Sequence, residues 1–137
     1  MDGYVAVKGG IGMARGSLAR IEDGKGLLVH LWDGELHITQ EHDHRDYFVT
    51  AGGWLELDRE GLALIYAVRR SALALSAPVP SHYARRITLC MPGTREPRVL
   101  YDRAREAGGW LEGLRHRLVR RWSNAYQRYP NPTTAAL

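Results

Sequence analysis

Apolar and polar residues alternate in short runs over residues 17–92, and turn residues interrupt them at roughly 8–12-residue spacing. That pattern predicts strands at 17–22, 27–32, 35–40, 47–50, 54–58, 62–68, 72–76 and 86–90. Residues 62–68 are almost continuously apolar, as for a strand covered on both faces. No α/β alternation is present, so the expected fold is mainly β: a small barrel or sandwich. Residues 1–16 read as a glycine-rich lead-in with a weak strand pattern over 3–8. Its glycines do not make a phosphate loop, because Gly-Lys-Ser/Thr is missing and the spacing is wrong.

The sharpest local signal is Asp33-Gly34 between two alternating runs. Asp-Gly favours a two-residue hairpin turn, whose central residues both need positive φ. That register sets Trp32 opposite Glu35, Leu31 opposite Leu36, His30 opposite His37 and Val29 opposite Ile38. Successive side chains point to opposite faces. Val29, Leu31, Leu36 and Ile38 then form one apolar face, expected in the core. Leu28, His30, Trp32, Glu35, His37 and Thr39 form the other.

After Pro92, Gly93 and Pro97 the period changes. Leu100, Ala104, Ala107, Leu111, Leu114, Leu118, Trp122, Ala125 and Tyr129 step by three and four, the seam of a helix. A helical extension is therefore expected over 93–129, with a break or kink at Gly108-Gly109 and a frayed tail over 130–137.

Charge sharpens the contrast between the two parts. Residues 1–80 hold 8 Lys and Arg against 11 Asp and Glu, a net of −3. Residues 81–137 hold 11 Arg and 4 acids, a net of +7. Arginine makes forked contacts with carboxylates and phosphates. Along the helical pattern Arg115, Arg117, Arg120, Arg121 and Arg128 interleave with Trp110, Trp122, Tyr126 and Tyr129. Arg115, Arg117, Arg120, Arg121, Trp122 and Arg128 are thus the candidate partner-binding residues. A second subunit or an acidic protein ranks first as partner, nucleic acid second and an anionic membrane third. No apolar run approaches the roughly 18 residues of a membrane span, and residues 1–10 hold no apolar core of signal-peptide length. One cysteine, Cys90, allows no intrachain disulfide. A cytoplasmic setting is the economical expectation.

From residue 17 to 76 the chain resembles a bacterial cupin-like, jelly-roll family of unknown function. The resemblance rests on Leu31-Trp32-Asp33-Gly34-Glu35-Leu36-His37-Ile38-Thr39, Asp46, Ala51-Gly52, Leu55, Leu57, Gly61, Leu64-Ile65, Ala67, Ser71, Leu73 and Leu75. It implies a compact cupin-like β domain over 17–92 and no particular activity. His37 departs from the family, which usually has an aromatic residue there. The arginine-rich extension lies outside the resemblance.

Metal-binding cupins carry a His-x-His pair, a Glu a few residues later and a distant third His. His42, His44 and Asp46 are the nearest candidates here, but the step from His44 to Asp46 is too short and the group falls in a turn. No metal or other cofactor is therefore expected. His30 and His37, with Trp32 and Glu35 on the same face of the expected hairpin, are the candidate ligand-binding group. Cys90 reads as a buried, inert thiol, no Gly-x-Ser-x-Gly motif occurs, and no carboxylates pair for acid/base work. The expectation is a non-catalytic binding or assembly module. Its rival is a small-ligand- or metal-binding cupin, an enzyme in its strongest form, centred on His30 and His37.

Overall fold

The computed structural model describes residues 5–77 and 84–105. Among them are ten strands: β1 Val5–Met13, β2 Leu18–Glu22, β3 Leu28–Asp33, β4 Glu35–Gln40, β5 Tyr47–Thr50, β6 Trp54–Glu56, β7 Leu62–Ala67, β8 Ser71–Ala77, β9 Arg86–Cys90 and β10 Arg98–Asp102. They form two antiparallel sheets. One has the order β1-β8-β3-β6 and the other β10-β9-β2-β7-β4-β5.

Period-two alternation explains how the sheets face each other. Ala19 and Ile21 on β2, Val29 and Leu31 on β3, Leu36 and Ile38 on β4, and Leu73 and Leu75 on β8 point inward into one continuous aliphatic core. Each fully buried Leu or Ile stabilises the fold by about 1.5–3 kcal/mol relative to exposure. Polar residues such as Arg20, Glu22, Thr39 and Thr50 take the outward positions of the six-stranded sheet.

The expected hairpin at Asp33-Gly34 does not form. β3 pairs with β6 and β8, whereas β4 pairs with β5 and β7, so the chain crosses from one sheet to the other at Gly34. Gly34 has φ +104, but Asp33 is not in the positive-φ region a type I′ turn would require. The β7–β8 turn sits directly against this corner. A Cβ on Gly34 would lie 2.6 Å from the Arg70 carbonyl oxygen and would overlap Ser71 Oγ. Val29, Leu31, Leu36 and Ile38 are all in the core, as expected. They meet across the interior, however, instead of lying side by side on one ribbon.

Two strands lie outside the expected β region. The glycine-rich lead-in is strand β1, which pairs with β8 through register shifts between Ala6 and Lys8 and between Lys8 and Ile11. Glycines suit such irregularities because they tolerate the local bend. Residues 98–102, expected to open the helix, are strand β10, paired with β9 and burying Tyr101. Leu100 fits a helical step from Ala104, but Val99, Leu100 and Tyr101 also suit a strand, and the open edge of β9 decides between them. The helical pattern beyond residue 105, Gly108-Gly109 and the tail lie outside the described residues.

Candidate functional site

The core-facing positions of β3 send Leu28, His30 and Trp32 to the outer side of the four-stranded sheet. His30 is flanked by Ala74 on β8 and Trp54 on β6, and Leu28 by Ser76 and Glu56. Part of this outer face is nevertheless as buried as the core: Leu28 is 5% exposed, and His30, Ala74 and Ser76 are 0% exposed, whereas Trp32 and Trp54 are half-buried and Glu56 is exposed. Trp32 Nε1–H donates to His30 Nδ1 at 3.1 Å. With Nδ1 accepting, the neutral imidazole carries its proton on Nε2. Burial pushes the His30 pKa from 6.5 down to about 4. The Trp32 ring reaches across β8 toward β1, where a Cβ on Gly10 would lie 3.6 Å from Cζ3. The small residues Ala72 and Ala74 on β8 leave room for it.

His37 stands on the other side of the molecule. Leu36 and Ile38 face the core, so Glu35, His37 and Thr39 occupy the outer face of the six-stranded sheet. His37 is opposite Phe48 on β5 and Tyr66 on β7. Its ring stacks on Phe48 with centroids 4.6 Å apart and planes 5° from parallel. His37 Nε2 lies 3.6 Å from Asp46 Oδ1. Phe48 and Tyr66 are each 42% exposed, the large exposed hydrophobic residues of the described region. Glu35 pairs with Arg69 at 3.3 Å, and its backbone N–H donates to Ser71 Oγ.

The four expected ligand-binding residues therefore divide. His30 and Trp32 belong to one outer face, Glu35 and His37 to the opposite one, with the aliphatic core between them. Because β3 and β4 lie in different sheets, the imidazoles are not cross-strand neighbours and cannot share one ligand.

The 41–46 turn is organised by Asp43. Its carboxylate accepts hydrogen bonds from the Tyr47 hydroxyl at 2.7 Å and from the Arg45 backbone N–H at 3.0 Å. The Tyr47 bond, followed by the Arg45 N–H, holds the Asp43 pKa down at about 2. The same bond raises the Tyr47 pKa. His42 adopts φ +66 and lies 3.8 Å from Glu41 Oε1, whereas Asp46 turns to His37 and His44 is exposed. His42, His44 and Asp46 are thus turned to separate surroundings. No three His, Cys, Asp or Glu among the described residues converge to hold a metal.

A cleft of about 400 Å³ lies where the chain crosses between sheets, lined by Asp33, Gly34, Glu35, Thr50, Ala51, Arg69 and Arg70. Cys90 is a half-buried free thiol at the end of β9. Sequence reading missed Phe48, Tyr66 and Trp54 as neighbours of the histidines, and Arg69 and Arg70 beside Asp33. Their alternation was visible, but contact across strands far apart in the chain was not. Arg115, Arg117, Arg120, Arg121, Trp122 and Arg128 lie outside the described residues. No protein-family model matches this chain, nor does any curated protein or solved structure.

Proposed function

We propose that this protein is a non-catalytic binding and assembly module built on a cupin-like jelly roll. The strand orders β1-β8-β3-β6 and β2-β7-β4-β5 support the jelly-roll reading, with β9 and β10 added beyond β2. The space between the sheets is filled by aliphatic side chains.

One observation carries the assembly reading: Leu28, His30, Ala74 and Ser76 point away from the core yet are buried. In this reading the apolar seam of Leu111, Leu114, Leu118 and Trp122 docks on that face within its own chain, since the burial is already complete in a single copy. Arg115, Arg117, Arg120, Arg121 and Arg128 then remain for an acidic protein surface. No helix of the described region is long and apolar enough to cross a membrane. The rival cupin site has no support in the geometry, because His30 and His37 lie on opposite faces.

The test is binding of the full chain to polyglutamate, RNA and anionic vesicles at graded salt. Polyglutamate binding that weakens with salt, and is lost when Arg115, Arg117, Arg120 and Arg121 become Gln, is expected. Absence of polyglutamate binding overturns the acidic-partner reading, and preferential binding to RNA or vesicles replaces the partner class.

A further inference from the structure

Among the described residues the two sheets end in four edge strands: β1, β6, β5 and β10. Three carry features that discourage pairing with another chain. β6 has only three residues, β1 contains two register shifts, and β10 contains one shift and starts at Arg98. β5 differs. Its four residues, Tyr47–Thr50, are uncharged and run in unbroken register with β4, with no proline and no bulge.

The side chains on β5 add a direction. The His37 and Phe48 centroids are separated by 4.6 Å, close to the roughly 4.7–4.9 Å between neighbouring strands. The rings are nearly parallel, so they stand upright on the sheet as successive rungs. One face of Phe48 meets His37, and its other face looks past β5, where the sheet stops. Phe48 is 42% exposed there. A further strand with an aromatic residue in register would extend the ladder by another rung.

We propose that a second copy of this chain supplies that strand, through antiparallel β5–β5 pairing about a two-fold axis with Phe48 opposite Phe48. The pleat fixes the parity of the register, and continuation of the His37–Phe48 stack selects Phe48 opposite Phe48. Outward residues must face outward residues, because a one-residue slip would turn the buried Tyr47 and Val49 to the wrong side. With Phe48 opposite itself, Tyr47 pairs with Val49, Asp46 with Thr50 and Arg45 with Ala51. Four rings then form one ladder: His37, Phe48 and the same two residues of the second copy.

Charge complements the same register. Thr50 and Ala51 line the cleft that also holds Asp33 and Arg70. Neither Asp33 nor Arg70 has an ion-pair partner among the described residues. Antiparallel pairing brings Arg45 and Asp46 of each copy to this cleft on the other. Arg45 then faces Asp33, and Asp46 faces Arg70, each in addition to its contact within its own copy, Arg45 with Asp43 and Asp46 with His37. The contact is isologous and closes on itself, so it makes dimers and not fibres. A four-residue edge with its flanks is smaller than the roughly 1,200 Å² of a stable interface, so the dimer dissociates on dilution.

The proposal rests on the β5 edge and is independent of the arginine-rich segment. Sedimentation equilibrium of the full chain, up to millimolar concentration, tests it. A concentration-dependent dimer is expected. Phe48→Glu sets like charges opposite each other and should abolish it, whereas Phe48→Tyr should retain it. In a Cys90→Ser background, Phe48→Cys should give a covalent dimer on mild oxidation, and Thr50→Cys, which faces Asp46, should not. A chain that stays monomeric, or a dimer unchanged by Phe48→Glu, overturns the proposal. Polyglutamate binding measured on the Phe48→Glu protein reports separately on the acidic-partner reading.

Discussion

The Trp32 indole N–H donates to His30 Nδ1 across 3.1 Å, between two side chains two residues apart on one strand. Alternation puts both on the same outer face of the four-stranded sheet, and burial removes His30 from solvent. The bond requires an unprotonated Nδ1. Protonation would therefore place a charge in an apolar site and remove the acceptor that Trp32 uses.

Acid should weaken the fold in a defined window. The folded His30 pKa of about 4 lies below the ordinary 6.5, so between these values the unfolded chain binds more protons. His30's contribution is complete above pH 6.5 and is lost as pH falls through 4, by up to about 3 kcal/mol. Urea unfolding at pH 7 and pH 4.5 should show the loss. His30→Phe should flatten that slope, and a slope unchanged by this substitution would rule out His30 as its source. Asp43, held near 2, acts in a lower window: its contribution fades from about pH 3.8 downward.

Trp32→Phe keeps an aromatic ring but removes the N–H donor. It should cost about 1–2 kcal/mol in urea unfolding. Nitrogen-15 NMR should find the His30 proton on Nε2 in the native protein. A proton on Nδ1 would contradict the bond.

Gly34 and Gly52 separate steric overlap from backbone strain. Both have positive φ, +104 and +87, but a Cβ on Gly34 meets Ser71 and Arg70, whereas one on Gly52 meets nothing within 4 Å. Gly52→Ala should cost about 1 kcal/mol for the backbone alone. Gly34→Ala should cost well over that, because the β7–β8 turn must move. Thermal denaturation of the two variants gives the comparison, and equal losses would contradict the packing described at this corner.

Asp43→Asn removes the negative charge that the Tyr47 hydroxyl faces. The Tyr47 pKa should fall toward 10.0, followed by ultraviolet titration of the phenol. A pKa that stays raised would assign the effect to burial of the ring.

Strand positions were legible because they depend on alternation within a few residues. The reading placed strands at 47–50 and 86–90, and β5 and β9 occupy those residues. Val29, Leu31, Leu36 and Ile38 were recognisable as core from the same rule. The Asp33-Gly34 reading failed at a different step. Position 34 does need glycine, at φ +104, but turn chemistry specifies local dihedrals and not the pairing of the flanking strands. β3 finds β8 and β6, and β4 finds β7 and β5, at separations no local motif records. The candidate site fell with the hairpin, since the His30–His37 pairing rested on it. At residues 98–102 a three-four step coincided with strand-forming residues, and only the edge of β9 could choose.

The sequence by itself determined which residues are apolar, which positions alternate and where the chain must turn. Those follow from side-chain chemistry and backbone sterics over a few bonds. Tertiary structure alone decided which wall of the sandwich each strand joins. It thereby sent His30 to a buried outer face and His37 to an exposed one. The reason is that a strand's two edges offer the same hydrogen-bonding groups to any partner. Closing both sheets around one shared core selects among those partners, and that selection is a property of the whole chain.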